Sequence, residues 1–178
     1  MSTPGSGEIP ATRERPSAGR ALLCFDGSAD AANAIAAAAA ALASREATLL
    51  TVWEPAALWQ PYDPAAVLSA GVSRLSSKSL GLDEIASEIG QATLQRGLEL
   101  AREAGFDATG LLRSGKAWRA ICEAADELEA VPIVLGARGL SRVQSVLLGS
   151  VSATVAAHAK RPLLIVPRSS PEASGAPD

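Results

Sequence analysis

Four short runs of this chain are apolar from end to end: "RALLCF" at 20–25, "ATLLTVW" at 47–53, "VPIVLG" at 131–136 and "PLLIVP" at 162–167. A strand with one face in water alternates polar and apolar residues, so continuous runs mean strands buried on both faces. A looser run, "FDATGLLRS" at 106–114, suits a strand nearer a sheet edge. Within the 131–136 run, which reads as the most central, Pro132 has to stand at the start, because proline cannot donate to a ladder.

The stretches between these runs carry helical spacing. One helix is expected over 29–44, with Ile35, Ala38, Ala39 and Leu42 on one face. A second is expected over 83–104, with Ile85, Ile89, Ala92 and Leu98 inward. In the third, over 117–129, Trp118, Ile121, Cys122, Ala125 and Leu128 fall 3.6 residues apart. A fourth follows over 150–159. Strands alternating with helices give right-handed crossovers. The expected fold class is therefore α/β, a doubly wound five-stranded parallel sheet with helices on both faces, Rossmann-like.

At 178 residues the chain suits one core. Hydrophobic residues make up 48% but aromatic ones only 3%, so alanine, leucine and valine must fill the interior. Residues 1–18 and 168–178 are rich in Pro, Gly and Ser and read as disordered tails around a domain at 19–167. The stretch 54–82 fits the alternation poorly; three prolines interrupt it, and it reads as a mobile flap with a short helix near 65–70. Trp59 and Tyr62 within it either cover a ligand or pin the loop.

Net charge is −3, with basic residues scattered singly, which argues against nucleic acid or a membrane surface as partner. Cys24 and Cys122 each sit in an apolar segment and read as buried, reduced thiols. The N-terminus has no secretory apolar region, and the longest apolar run, 34–43, is too short to span a bilayer. A soluble, cytoplasmic protein is expected.

One segment stands apart. "VLGARGLSRVQSVLLGSVSATV" (134–155) places Gly136, Gly139 and Gly149 between the end of one strand and the start of a helix at Ser150. In an open α/β sheet, ligands bind outside the carboxyl ends of the strands where the winding reverses. Glycines there admit a ligand close to main-chain N–H groups, and a helix N-terminus favours phosphate. Ser150 and Ser152 offer hydroxyls. The alternative is architectural: glycines for a tight turn, and Ser150 as an ordinary helix cap.

The spacing Gly136-x2-Gly139-x9-Gly149-Ser150 resembles the nucleotide-binding signature of the ATP-binding branch of the universal stress protein family. "FDGS" at 25–28, "LLTVWEP" at 49–55 and "HAKRPLLIVP" at 158–167 are similar to that family's first strand end, second strand and ending. The resemblance implies ATP as ligand, with Mg²⁺ able to bridge its phosphates. It places Asp26 by the adenosine and Val52 at the adenine. Gly136 and Ala137 would line the ribose and α-phosphate region, and Gly139, Gly149, Ser150 and Val151 would hold the phosphates. For Asp26, a role capping the following helix is compatible with that placement. The resemblance also implies a homodimer through the strand at 162–166, which reads as an apolar sheet edge.

The chain departs from the family at Gly115-Lys116-Ala117, where members often carry an aspartate and a proline. Arg138 and Arg142 either neutralise phosphate or are solvated. Residues 110–117 nearly spell a phosphate-binding P-loop, but Ala117 replaces the hydroxyl residue and Leu111 and Leu112 read as strand. His158, the only histidine, has no metal-ligand spacing around it and no nucleophile elbow to serve. The expected function is a nucleotide-dependent stress-response or signalling module with an unidentified protein partner, not an enzyme. The alternatives are a slow ATPase or phosphotransferase in the same pocket, and a ligand-independent dimeric stress protein.

Overall fold

A computed structural model describes residues 19–55, 81–137 and 148–167. Within them the chain runs β1 (Ala21–Cys24), α1 (Ala29–Ala41), β2 (Glu46–Trp53), α2 (Leu82–Glu103), β3 (Asp107–Ser114), α3 (Ala117–Glu127), β4 (Ile133–Gly136), α4 (Ser150–His158) and β5 (Leu163–Val166). The expected tails and residues 56–80 of the 54–82 flap, with Trp59 and Tyr62, lie outside the described residues, while Gly81 and Leu82 at its end already cap and begin α2.

All strand pairs are parallel, in the order β3-β2-β1-β4-β5. From β1 the chain winds one way through β2 and β3 and then the other way through β4 and β5. The switch point lies between β1 and β4. The central strand is therefore β1. The run at 131–136 was expected to be most central, yet β4 has β1 on one side and the edge strand β5 on the other. Apolarity alone cannot rank the two, because both strands are covered on both faces. β3 takes the opposite edge, in keeping with its looser pattern.

Two cores flank the sheet. On one face α1 and α2 bury Ala34, Ile35, Ala38, Leu94 and Leu98 against Leu23, Leu49 and Val134. On the other, Ile121, Ala124 and Ala125 of α3 and Val155 of α4 meet Leu22, Leu50, Ile133 and Leu135. Strand neighbours Leu49 and Leu50 go to opposite cores, as the two-residue period requires. The alanines of α1 favour helix and let it lie close to the sheet. α1 ends at Ala41 rather than at the expected Ser44, and its buried face runs through Ala31, Ala34, Ile35 and Ala38.

In α2 the observed face differs from the expected one. Only Leu98 of the four anticipated residues turns inward; Ala92 is exposed, Ile85 is 52% exposed and Ile89 62%. The contact face is built on glycine instead. A Cβ on Gly90 would stand 3.2 Å from the Cβ of Trp53, and one on Gly97 would stand 2.7 Å from methyl carbons of Leu49 and ring carbons of Phe25. At about 100° per residue Ile85, Ile89 and Ala92 share one side of α2, while Leu98 falls with Gly90, Leu94, Gly97 and Ala101 on the opposite side, which faces the sheet.

The near P-loop is ordinary structure. Gly110 lies within β3 under Leu94 and Leu98, and Gly115 makes a turn at φ +126°.

The close approach at Gly97 has a measurable consequence. Gly97→Ala forces Leu49 and Phe25 to shift and should destabilise the fold by about 1–3 kcal/mol, read from urea unfolding. A stability equal to the wild type would show that α2 lies farther from β2 than described.

Candidate functional site

Four chain segments end or begin at the carboxyl edge of the sheet around the switch point. β1 is prolonged by Phe25, whose N–H donates to the Leu50 carbonyl at 2.9 Å. The buried Thr51 hydroxyl donates to the Phe25 carbonyl at 3.0 Å. This double tie fixes the next residue, Asp26, over the end of β1. The Asp26 Oδ1 accepts the Ser28 N–H at 3.0 Å across Gly27, which adopts φ +85°. The Ser28 hydroxyl in turn accepts the Ala31 N–H at 3.1 Å and caps α1. Asp26 thus orders the cap without being the cap.

The end of β4 meets α1 with no side chain between them. A Cβ on Gly136 would lie 2.7 Å from the Asp30 carbonyl carbon, 2.8 Å from its oxygen and 3.0 Å from the Ala31 nitrogen. Those are backbone atoms of a helix and cannot rotate away. Sequence reasoning gave Gly136 to positive φ and ligand approach. Instead it is an ordinary strand residue whose missing side chain admits α1.

Beyond Gly136 the main chain is locked. The Ala137 N–H donates to the Val166 carbonyl at 2.8 Å, and the Ala137 carbonyl accepts the Gly149 N–H at 2.7 Å. The buried Ser152 hydroxyl donates to the Gly136 carbonyl at 2.8 Å. Three expectations change as a result. Ala137 is buried, extends the β4–β5 ladder by one residue and does not line the cavity. The Gly149 N–H is committed to Ala137, and the Ser152 hydroxyl proton is committed to Gly136.

The cap of α4 is Gly149, at φ −68° and ψ 158°, with no side-chain cap bond and no acidic residue in the first turn. Ser150 is therefore the first helical residue and not the cap. By helix geometry the N–H groups of Ser150, Val151 and Ser152 lack intrahelical partners. They lie at the positive end of the α4 dipole.

These pieces enclose a cavity of about 320 Å³. That is within the size of small-molecule sites, which start at roughly 300 Å³. Cys24, Phe25 and Asp26 form its β1 wall, with Leu50, Val52 and Glu54 from β2, and Leu135 and Gly136 from β4. Ala117 and Ile121 of α3 and Gly149, Ser150, Val151 and Ser152 at the start of α4 complete it with Ala31. Six residues anticipated from sequence, Asp26, Val52, Gly136, Gly149, Ser150 and Val151, converge here. Gly139, Arg138 and Arg142 lie outside the described residues.

Glu54 was missed. It stands one residue past β2, and its Oε1 accepts the Ala117 N–H at 3.3 Å, capping α3 from another element. Its place at a strand's carboxyl end was the available signal. The apolar lining, such as Ile121 and Leu135, carries no signal that separates it from other core residues.

Other expectations resolve simply. Burial, with Cys122 and Asp26 nearby, pushes the Cys24 thiol up, and burial does the same at Cys122 with Asp126 and Glu123 adding. Both are free thiols, although Cys122 is only half-buried. His158 is exposed, with its ring 4.8 Å from that of Trp118. Its Nδ1 lies 2.9 Å from the Thr154 carbonyl, which only accepts, so Nδ1 carries the proton. No group of three or more His, Cys, Asp or Glu among the described residues is arranged to hold a metal ion. No described helix is long and apolar enough to cross a membrane.

Fold and cavity together define an open α/β protein with a small-molecule cleft at its topological switch point. The universal stress protein family model matches residues 18–167, and the chain belongs to that family. Similar solved structures include a universal stress protein in complex with cAMP, 27% identical, with TM-score 0.52, covering 84% of this chain and 98% of that one. UspA from Lactobacillus plantarum is 22% identical, with TM-score 0.59 and coverage of 85% and 99%. The universal stress protein from Archaeoglobus fulgidus in complex with dAMP is 16% identical, with TM-score 0.53 and coverage of 83% and 96%. The last two likenesses concern the fold. Comparison with curated proteins finds no match.

The backbone contact at Gly136 should make that position less tolerant than Gly97. Gly136→Ala is expected to cost about 3 kcal/mol in urea unfolding, the upper part of the overpacking range. Ser152→Ala, which leaves the Gly136 carbonyl without its donor, should cost about 1–3 kcal/mol. A neutral Gly136→Ala would refute the close packing of β4 on α1.

Proposed function

We propose that this chain is an adenine-nucleotide-binding universal stress protein of the ATP-binding branch, acting as a binding and signalling module rather than an enzyme. The observation that carries this reading is the first turn of α4, whose N–H donors open on a cavity at the switch point. Phosphate is bound by the N–H groups of Ser150, Val151 and Ser152 and by the exposed Ser150 hydroxyl. Asp26, over β1, accepts from the ribose, and the base lies toward Val52. The relative solved with cAMP supports an adenine nucleotide as ligand.

The residues present fit such a ligand. The cavity has apolar walls for a base, acceptors on β1 and β2, and donors at α4. Magnesium would supply charge neutralisation to the phosphates, and no group of three or more His, Cys, Asp or Glu among the described residues would hold it. Asp26 is already engaged with the Ser28 N–H, and Glu54 sits two strands away from α4. Neither is placed as a base beside the phosphates, so bound ATP persists and occupancy serves as the signal to a protein partner. A homodimer is supported by β5, a half-buried apolar strand that among the described strands pairs only with β4. The free thiols suit a cytoplasmic protein.

Titration calorimetry with ATP tests the site. Gly149 has a backbone that valine also adopts, so Gly149→Val should keep the wild-type circular dichroism, with a small drop in melting temperature from the poorer helix cap, while crowding the cavity. Ser150→Asp puts a like charge at the phosphate position. Each should weaken ATP at least about tenfold, the loss of one charge-assisted hydrogen bond. Unchanged affinity in both would overturn the assignment. Small-angle scattering at micromolar concentration should return the mass of a dimer, and a monomer would remove the β5 pairing.

A further inference from the structure

Across the carboxyl edge of the sheet, the polar groups of the cavity follow an order. The α4 N-terminus follows β4, Asp26 ends β1 and Glu54 ends β2. β4 and β2 are two strand spacings apart, about 10 Å. One end of the cavity thus suits an anion, and the other carries a carboxylate that repels anions and takes only donors.

The surroundings of Glu54 narrow the kind of donor. Val52 and Leu50 on β2 and Ala117 and Ile121 on α3 form an apolar cleft, and Glu54 stands at its mouth between the two elements. Its Oε1 accepts the Ala117 N–H at 3.3 Å, which ties the carboxylate to α3. A flat, apolar-faced ring fits between these walls with a polar N–H at its rim. The sugar, nearer β1, falls to Asp26.

We infer that Glu54 is a specificity-determining residue that accepts a hydrogen bond from the exocyclic amino group of the bound base. The inference rests on the nucleotide reading of the cavity and deepens it. Glu54 acts twice, because the bond that caps α3 also aims the carboxylate. Its negative charge at the base end, opposite the helix dipole at the phosphate end, sets the direction in which the nucleotide lies.

The test is calorimetric titration of the full chain with AMP, with the 5′-monophosphate of unsubstituted purine riboside, and with 2′-deoxy-AMP. The purine riboside compound lacks only the amino group. Wild-type protein should bind AMP about tenfold more tightly than that compound, the scale of a hydrogen bond to a charged acceptor. In Glu54→Ala the two should bind alike, and in Glu54→Gln, which keeps an acceptor to cap α3, the ratio should fall part way. Melting curves of both variants report the α3 cap separately.

If the wild type binds AMP and the purine compound equally, or Glu54→Ala keeps the preference, Glu54 does not read the base although the nucleotide site stands. If Glu54→Ala instead loses a preference against 2′-deoxy-AMP, the carboxylate reads the sugar and the inference is overturned. If the wild type binds none of the three, the same titrations are run with the corresponding triphosphates, and failure of those as well removes the nucleotide reading.

Discussion

The contact of Gly136 with the first turn of α1 is the constraint on which the site depends. Without a Cβ, the end of β4 comes within contact distance of the Asp30 and Ala31 backbone. That approach sets how closely α1 lies over the end of β4, at the level where the chain leaves the sheet. The Gly136 carbonyl then takes the Ser152 hydroxyl, and the next residue, Ala137, takes Val166 on one side and Gly149 on the other. One glycine therefore positions α1, α4 and β5 together. The cavity is the space these bonds leave.

The same bonds decide which groups remain free for a ligand. A main-chain N–H already paired at 2.7 Å inside the protein gives nothing to a phosphate, and this removes Gly149 as a donor. The first turn of α4 keeps its donors because Gly149 has no side chain to cap them. A serine or aspartate cap would have stabilised the helix by a few tenths of a kcal/mol and filled the anion position with a protein oxygen. Glycine at this place gives up helix stability and leaves the helix end open. At α1 the choice is the opposite: Ser28 caps the helix, so that end offers no equivalent site.

Much of the fold was legible because burial on both faces writes itself into a strand as unbroken apolar sequence. The five strands, their separation by helices and the edge position of β3 followed from that. The rank of β1 over β4 did not, since two fully covered strands look alike in sequence. The inward face of α2 was misread for a different reason. Periodicity favours the side with the large apolar Ile85 and Ile89, but the side that meets the sheet is the opposite one, built on Gly90, Leu94, Gly97 and Leu98. Conversely, Gly90 and Gly97 carry no apolar signal and form the close contacts of α2 with β2.

For the site, sequence by itself determined the segment and most of the residues: Asp26 and Val52 at strand ends, and Gly136, Gly149, Ser150 and Val151 around the switch point. It determined them because the ends of strands and the starts of helices are local properties of the chain. Only the tertiary structure decided what each residue does. It gave Gly136 to packing and Ala137 to a ladder, and it brought Glu54 to the cavity through a bond to α3, sixty-three residues away in the chain. A hydrogen-bond donor or acceptor is free for a ligand only if nothing else in the fold reaches it. That condition depends on distances between segments far apart in sequence, which no local pattern encodes.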